Sequence, residues 1–381
     1  MRNSLYGPDH EQFRAAVRAF IQREAVPNVA KWEEQHRVDV EFYRKAGELG
    51  ILGLQIPEAY GGAGQTSFTY NLVVAEELIG AHLSLSPVRV HIDVVIPYFL
   101  SYATAYQKDR WLRSLGTGEN MASIAMSEPE TGSDIGGIKT TARRDGDCFV
   151  INGAKTFITG GINAGLVIVV ARTSQHEDRR KGLSLFVVQD GTPGYTKTRN
   201  LDKLGMRYAD TAELSFTDVA VSCDDMLGEE GRAFEYLTSN LAQERISVAA
   251  GSVAMAKTAL AETVAYVSQR EVFGRRLSQF QNTKFVLAGV SAEIEAADSL
   301  LQRAVAELDA KKLSGADAAR VKLFCSEMQA RAVDSCLQLF GGYGYMLEYP
   351  IAKMYADARV SRIYGGSSEI MKTIIAKSLG L

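Results

Sequence analysis

The feature that most constrains the fold of this 381-residue chain is a block of short apolar runs enclosed on both sides by helical sequence. Between about residues 121 and 230, turn pairs such as Asp145-Gly146 and Asn152-Gly153 separate the runs. Runs of roughly four to eight residues bounded by such turns, without long helical patterns between them, predict an antiparallel β subdomain and not βαβ units. Typical runs lie at residues 149–151, 166–170 and 183–188.

Both flanks have the apolar spacing of amphipathic helices, in which residues three and four apart share a face. Phe13, Val17, Phe20 and Ile21 begin this pattern, and from Ala233 onward long alanine- and leucine-rich stretches with short breaks predict an antiparallel bundle. The predicted helices cover residues 9–32, 39–49, 67–79, 87–100, 104–115, 233–269, 280–312, 317–340 and 367–379.

A chain of this length exceeds what one hydrophobic core usually supports, so several subdomains are expected. The sequence predicts a mainly α fold with a central antiparallel β subdomain. The predicted domains are an N-terminal helical domain (1–120), a β-barrel-like middle domain (121–230) and a C-terminal helical bundle (231–381).

Charge and cysteine content exclude several classes of function. The formal net charge is -3, from 42 Lys+Arg and 45 Asp+Glu, so nucleic acid is not an expected partner. The four cysteines form no CxxC pair and the five histidines do not cluster, so no metal site is predicted. We find neither a secretory signal pattern nor an apolar run of about 18 residues, and we therefore expect a cytoplasmic protein without a membrane span.

Common catalytic motifs are also absent. The sequence contains no G-x-G-x-x-G, Walker-A, H-E-x-x-H or G-x-S-x-G element. The most informative segment is residues 124–134 (IAMSEPETGSD), which leaves a predicted strand and presents hydroxyls at Ser127 and Ser133. Taken alone, this segment fits a capped structural turn as well as a ligand-binding loop.

Five segments together resemble the acyl-CoA dehydrogenase family in order and spacing, over nearly the whole chain. They are residues 124–134 (IAMSEPETGSD), 152–159 (NGAKTFIT), 269–275 (QREVFGR), 338–345 (QLFGGYGY) and 362–370 (RIYGGSSEI). The resemblance implies an N-terminal helical domain, a middle β domain and a C-terminal four-helix bundle. It also implies FAD-dependent α,β-dehydrogenation of an acyl-CoA thioester to trans-2-enoyl-CoA, with flavin N5 as hydride acceptor.

The resemblance further implies which residues bind FAD. Residues 124–133 would line the flavin, and Phe157 to Thr159 would pack beside the isoalloxazine. Arg270 and Gln281, from a neighbouring subunit, would contact the pyrophosphate and the adenosine half, and residues 338–342 would also approach the adenosine half. Ser367 and Ser368 would cap the last helix, whose free N–H groups favour phosphate oxygens. Ser133 would lie near phosphate and CoA. The implied cofactor-binding residues are Ile124, Ala125, Met126, Ser127, Ser133, Phe157, Ile158, Thr159, Arg270, Phe273, Gln281, Gln338, Leu339, Phe340, Gly341, Gly342, Ser367, Ser368 and Glu369.

The catalytic base is predicted from two observations, a carboxylate that is missing after Tyr364 and a carboxylate that is present at Glu244. Many family members carry a carboxylate directly after the tyrosine of the C-terminal loop, but here Gly365 follows Tyr364. Residues 241–246 (LAQERI) resemble the long-chain and isovaleryl branches, whose base lies on a bundle helix, and Glu244 matches that position. A Glu-Arg pair on a helix is otherwise usually a solvated ion pair. The implied substrate contacts are Ser133, Ala242, Gln243, Arg245, Tyr364, Gly365 and Gly366.

Several alternatives remain open from the sequence. Phe157 stands where many members have tryptophan, and Glu235 differs from the aromatic residue of the long-chain branch. The same chemistry on a carrier-protein thioester, a flavin oxidase or monooxygenase on the same scaffold, and a noncatalytic CoA-binding protein are the competing hypotheses. The expected partners are an acyl-CoA substrate, electron-transfer flavoprotein as electron acceptor, and further copies of the chain in a dimer of dimers.

Overall fold

The computed structural model describes residues 5–381, which begin with a helical layer. Two of the predicted helices are interrupted. The first passes through a wider turn at Ile21–Ala25 and a tighter turn at Val26–Asn28, because Pro27 has no N–H to donate to the helix. The helices are α1 (Pro8–Phe20), α2 (Val29–Gln35), α3 (Val40–Glu48), α4 (Thr69–Gly80), α5 (Ser86–Arg89), α6 (Ile96–Tyr102) and α7 (Ala105–Gly116).

The second interruption lies between α5 and α6, where Val90–Val95 form a wide helical turn before Pro97. Its His91 is buried. The Nδ1 atom of His91 accepts a hydrogen bond from the Ala122 N–H at 3.0 Å, and Nε2 lies 3.1 Å from the Leu115 carbonyl oxygen. Burial lowers the pKa of His91 to about 4, so the neutral ring joins the helical layer to the first strand.

The middle of the chain forms one eight-stranded sheet in the order β6-β7-β3-β2-β4-β5-β8, with β1 paired to β4. The β1–β4 ladder is parallel, with Ile124 opposite Ile168, and one residue pair between β2 and β4 is also parallel. The other ladders of this sheet are antiparallel. The strands are β1 (Met121–Ala125), β2 (Thr141–Asp145), β3 (Cys148–Thr159), β4 (Ala164–Arg172), β5 (Leu183–Gln189), β6 (Tyr195–Asn200), β7 (Thr211–Ser222) and β8 (Met226–Leu227).

The C-terminal part is helical again. Helix α10 packs against α8, α9, α11 and α12, and α8 also packs against α4 of the N-terminal layer. Helix α11 is not among the helices predicted from the sequence. The elements are α8 (Ala233–Gln269), β9 (Glu271–Val272), β10 (Arg275–Arg276), α9 (Gln281–Asp309), α10 (Gly315–Leu339), α11 (Pro350–Ala358) and α12 (Ser368–Ser378).

Helix α8 is the main support of the molecule. Twelve consecutive residues, from Arg245 to Ala256, are buried, so neighbouring elements cover every face of this stretch. A helix enclosed in this way holds its side chains in a fixed arrangement. The architecture confirms the predicted mainly α fold with a central, mostly antiparallel sheet. Within residues 5–381, no helix is both long and apolar enough to cross a membrane.

Candidate active site

A cavity containing Glu244 lies between α8, the α4–α5 region and the segment that precedes α12. Helix α8 lines it with Glu244, Ser247, Val248, Gly251, Ser252 and Met255. These positions follow one another at the spacing of a single helix face. Tyr364, from the loop between α11 and α12, lines the same cavity. The structure thus brings the predicted base together with the C-terminal loop.

The Glu244 carboxyl group is shielded and unpaired. Its Oε2 atom is buried and has no hydrogen-bond partner among residues 5–381. Burial raises the pKa of Glu244 to about 6, although Arg245 and Lys322 favour the ionised form. A carboxylate with this pKa is largely ionised at neutral pH and is free to accept a proton. The environment of Glu244 is therefore not that of a solvated surface ion pair with Arg245.

Gly365 lies directly beside this carboxylate. Its φ is +63°, and a Cβ atom added there would lie 3.8 Å from Glu244 Oε1 and 3.2 Å from Val248 Cγ2. The carboxylate of Glu244 therefore faces the backbone of Gly365, the position at which the sequence lacks the expected acid. Glycine suits this position because its backbone conformation is unfavourable for other residues.

Helix α10 holds in place the segment of residues 363–367, here called the glycine loop. The buried Lys322 Nζ donates to the Gly366 carbonyl oxygen at 2.8 Å, and burial lowers the pKa of Lys322 to about 8. Further along α10, Glu327 accepts hydrogen bonds from Ser368 Oγ at 2.6 Å and from Arg362 Nη1 at 3.1 Å. Both ends of the loop are thus tied to one helix.

Of the two serines expected to cap the last helix, only Ser367 does so. Its Oγ accepts from the Ile370 N–H at 3.4 Å, whereas Ser368 already lies inside α12 and donates to Glu327. A helix start has a single N-cap residue, whose backbone is extended, and in α12 that residue is Ser367. Glu369 follows in the exposed first turn of α12.

The loop after β1 is held by a buried ion pair that the sequence analysis missed. Lys155 is fully buried, and its Nζ donates to Met126 O at 3.0 Å and to Glu128 Oε1 at 2.9 Å. Ser127, between these partners, also receives a hydrogen bond at its carbonyl oxygen from the Thr156 N–H. The lysine in the middle of β3 was the available signal, because a buried cation requires a counter-charge nearby.

Among the three residues predicted beside the isoalloxazine, only Phe157 projects outward. Phe157 is 69% exposed and has a φ of +60° at an irregular point of the β3–β7 ladder. Ile158 packs in the sheet core, and the Thr159 carbonyl oxygen accepts from Ser123 Oγ at 2.8 Å. An exposed aromatic ring on a costly backbone conformation is a reason to expect a ligand at this position.

The remaining residues of β1 and its loop differ in exposure. Ile124 and Ala125 are buried within the strand, Met126 and Ser127 are half-buried, and Ser133 is exposed. Exposure therefore increases from the end of β1 toward Ser133. Residues 5–381 include no group of three or more side chains suited to hold a metal ion.

A second groove gathers most of the residues predicted to bind the adenosine half of FAD. Arg270 lines it together with residues 338–342, and its guanidinium lies 5.5 Å from the centre of the Tyr343 ring. Arg270 is 26 residues beyond Glu244 along α8, which corresponds to about 39 Å along the helix axis. In one chain this groove is therefore separate from the cavity of Glu244.

Phe273 and Gln281 lie close to this groove in sequence. Phe273 is 96% exposed at the tip of the β9–β10 hairpin, with a φ of +51°, and the exposed Gln281 begins α9. Neither residue lines the groove within the described part of the chain. An aromatic ring that is almost completely exposed on a hairpin is typical of a surface that contacts a partner.

Three predicted substrate contacts on α8 point elsewhere. Gln243 Nε2 donates to the Asp93 carbonyl oxygen at 2.8 Å, Ala242 packs against the C-terminal core, and Arg245 Nη1 lies 3.4 Å from the Gly315 carbonyl oxygen. None of these three side chains lines the Glu244 cavity in the described structure. Their predicted role in substrate binding stays a prediction.

Comparison with known protein families gives three matches. The N-terminal, middle and C-terminal domains of acyl-CoA dehydrogenases match residues 7–119, 123–219 and 231–380. Together these three segments cover most of the sequence.

Individual relatives and structures agree with the domain matches. The mouse mitochondrial long-chain specific acyl-CoA dehydrogenase is 38% identical over 380 residues, covering 98% of this chain and 87% of that protein. The rat mitochondrial short-chain specific enzyme is 34% identical over 370 residues, covering 97% and 90%. A crystal structure of an acyl-CoA dehydrogenase from Geobacillus kaustophilus has a TM-score of 0.97 and 43% identity, and covers 100% of both chains. The chain belongs to the acyl-CoA dehydrogenase family.

Proposed function

We propose that the protein oxidises an acyl-CoA thioester to the trans-2-enoyl thioester, with Glu244 as the base that removes the proton next to the thioester carbonyl. The observation that carries this proposal is the unpaired carboxylate of Glu244 facing Gly365. Family membership supports acyl-CoA dehydrogenation, and this geometry supports a particular base. A long-chain relative at 38% identity and a short-chain relative at 34% identity both match over nearly the whole chain, so family membership alone does not select a chain length.

The residues around Glu244 are suited to proton removal. Burial keeps water from the Oε2 atom and raises the pKa, so the carboxylate is a stronger base than one in water. Lys322 and Arg245 supply positive charge that keeps most of the carboxylate ionised near neutral pH. After the transfer, the proton remains on the Glu244 carboxyl group.

The glycine loop is suited to polarise the thioester carbonyl. Within residues 5–381 the Gly365 N–H makes no hydrogen bond, and the Lys322 contact to Gly366 holds the neighbouring peptide. A free and positioned N–H stabilises the negative charge that develops on a carbonyl oxygen when the adjacent carbon loses its proton. Glu244 and Gly365 would therefore act on adjacent atoms of the substrate.

The residues present fit FAD, on which members of this family depend. Phe157 offers an exposed aromatic face, Ser127 lies in a loop fixed by Lys155, and the α12 N-terminus offers N–H groups to an anion. These groups would hold the flavin half, while Arg270 and residues 338–342 would hold the adenosine half. When bound, FAD supplies the acceptor for the hydride that leaves the β-carbon.

Further copies of the chain are needed if one cofactor is to use both sites. The separation of about 39 Å along α8 between Glu244 and Arg270 supports a second subunit as the source of the adenosine contacts. Exposed aromatic residues beside the groove, Phe273 and Tyr345, support the same assembly. We infer a dimer of dimers that passes electrons to electron-transfer flavoprotein in the cytoplasm. Sedimentation analysis tests the assembly, and a monomer that retains FAD would contradict it.

Anaerobic mixing of the FAD-loaded protein with a panel of acyl-CoAs tests the activity. We expect loss of flavin absorbance in the parent and retention of FAD without this loss in Glu244→Gln. Equal loss in both proteins would remove Glu244 from the mechanism. Rapid peroxide formation during turnover without an added acceptor would favour an oxidase. Activity confined to carrier-protein thioesters would show that the acyl group is carried by a protein and not by CoA. A protein that takes up no FAD would support a noncatalytic role.

A further inference from the structure

An arginine forms part of the wall of the Glu244 cavity. Arg89 projects from the end of α5, lines the cavity, and is only 13% exposed. Its closest partners are on α8, where Nη2 donates to both the carbonyl oxygen and the Oγ of Ser247. A guanidinium at this depth is unusual in a cavity that would hold only an alkyl chain, because the buried cation requires polar partners.

The counter-charge of Arg89 is itself fully engaged. Asp93, one turn further along the chain, lies 3.3 Å from Arg89 Nη2 through its Oδ2 atom. The same carboxylate accepts hydrogen bonds from Asn71 Nδ2 at 2.7 Å and from Ser247 Oγ at 2.5 Å. Burial raises the pKa of Asp93, which is 1% exposed. All the contacts of this cluster to Arg89 use a single nitrogen, Nη2.

The other nitrogens of Arg89 have no partner. Nε is buried without a hydrogen bond, and within residues 5–381 no acceptor contacts Nη1. An arginine that served only to pair with Asp93 would be expected to satisfy its buried donors. Nη1, unlike Nε, is not buried, so it is the donor suited to bind an oxygen atom that a ligand brings into the cavity.

Helix α8 leaves space for this cation at Gly251. A Cβ atom at Gly251 would lie 2.4 Å from Arg89 Nη1, so any other residue would push the guanidinium aside. Glycine inside a long helix is unfavourable compared with alanine. The combination of Gly251 with Arg89 therefore indicates that the guanidinium position matters for the cavity.

The distance from Glu244 to this cluster sets the length of the acyl group. With a rise of 1.5 Å per residue, Ser247 lies about 4.5 Å and Gly251 about 10 Å along α8 from Glu244. Arg89 contacts the helix between these two levels. A substrate whose α-carbon is at Glu244 would thus meet the guanidinium a few carbons further along its chain.

We propose that the preferred acyl group is short and carries a hydrogen-bond-accepting oxygen group near its far end, which binds the free Nη1 donor of Arg89. This inference rests on the proposed function, because it assumes that Glu244 marks the position of the α-carbon. A plain alkyl chain would cover Nη1 and leave it unpaired, whereas a carboxylate or a neutral amide would accept its hydrogen bond. The carboxylate would form the stronger, charge-assisted contact.

The test compares five-carbon acyl-CoAs that end in a carboxylate, an amide or a methyl group. Flavin bleaching and kcat/KM are measured for the FAD-loaded parent, for Arg89→Met/Asp93→Asn, and for Gly251→Ala. The double variant removes both charges and so leaves no uncompensated carboxylate. Arg14→Met is the matched control, since Arg14 is also 13% exposed and pairs with Glu76 and Glu77 outside the cavity.

In the parent we expect kcat/KM to be about 10- to 100-fold higher for the carboxylate or amide than for the methyl compound. The double variant and Gly251→Ala should lose this preference, while Arg14→Met should keep it. A higher value for the carboxylate identifies an anionic group, and equal values for carboxylate and amide identify a neutral acceptor.

Two results would overturn the inference, namely a parent that prefers the methyl compound and a double variant that binds FAD but keeps the polar preference. If the double variant fails to bind FAD, the inference is tested by the parent and Gly251→Ala alone. It then stands only if the parent prefers the polar compounds and Gly251→Ala loses that preference. Failure of every acyl-CoA to bleach the parent would instead overturn the proposed function, and this inference with it.

Discussion

Replacing Glu244 with glutamine should make the folded protein more stable at neutral pH while strongly slowing flavin bleaching. Burial raises the pKa of Glu244 from 4.5 to about 6, and this rise corresponds to about 2 kcal/mol. The folded chain therefore holds the proton more tightly than the unfolded chain. As the pH rises from about 4.5 to 6, the parent loses up to about 2 kcal/mol of its free energy of unfolding and remains lower above pH 6.

Glutamine at position 244 does not titrate, so this loss should be absent from the variant. Between pH 4.5 and pH 8, the free energy of unfolding of the variant should rise by up to about 2 kcal/mol relative to that of the parent. Denaturant unfolding of both FAD-loaded proteins at these two pH values measures the difference.

Glu327→Gln serves as the control with the opposite sign. Ser368 and Arg362 lower the pKa of Glu327, so its ionised form stabilises the fold. Its replacement should reduce stability at pH 8 by more than at pH 4.5. A Glu244→Gln variant that is equally stable or less stable than the parent at pH 8 would refute the idea of a carboxylate destabilised by burial.

The same pKa predicts the pH dependence of catalysis. Below about pH 6, the rate of flavin bleaching by a fixed acyl-CoA should fall about tenfold for each pH unit, since only the ionised carboxylate accepts the proton. The Glu244→Gln rate should be about 10²- to 10⁴-fold lower and independent of pH in this range. Stopped-flow absorbance measures both profiles, and a parent rate that stays constant down to pH 4.5 would exclude Glu244 as the base.

Other substitutions test the supports of the site. Gly365→Ala should lower stability by about 1–2 kcal/mol and slow bleaching, because φ is +63° and the new Cβ atom would lie 3.2 Å from Val248 Cγ2; thermal unfolding and stopped-flow absorbance check this. Lys155→Met should cost about 3–5 kcal/mol and reduce FAD content, because it leaves Glu128 buried without its cation; unfolding and flavin absorbance measure the two effects. Burial lowers the pKa of His91 from 6.5 to about 4, so about 3 kcal/mol of stability present above pH 6.5 should be lost as the pH falls to 4; His91→Gln should show a smaller loss in the same unfolding series.

The long helices could be predicted from the sequence because their signals are local. Alanine-rich sequence from Ala233 predicts α8 up to Gln269, and the structure has the same limits. Helix α11 is only nine residues long and lies between aromatic-rich turns, so its pattern is too short to separate from a loop. The parallel β1–β4 pair escaped prediction because strand partners are not encoded by local apolar runs.

The site shows the same division between local and distant signals. The presence of Glu244 and the glycine after Tyr364 are visible in the sequence, but only the fold shows that they face each other. The contacts between Lys155 and Glu128, and between Arg89 and Gly251, join residues far apart in the chain. Neither pair has a sequence signal stronger than a cation or glycine in an unexpected place.

The proposed location of the base on α8 has a physical consequence for the loop between α11 and α12. A carboxylate at position 365 would stand on a backbone with φ +63°, in a loop held mainly by contacts to α10. At position 244 it stands instead next to the stretch from Arg245 to Ala256, which is buried on every face. Because side chains on a packed helix move less than side chains on a loop, Glu244 is the better fixed of the two positions. Under the proposed function, Gly365 is then free to present its N–H, so the proton acceptor and the carbonyl-binding group would reach the substrate from different elements.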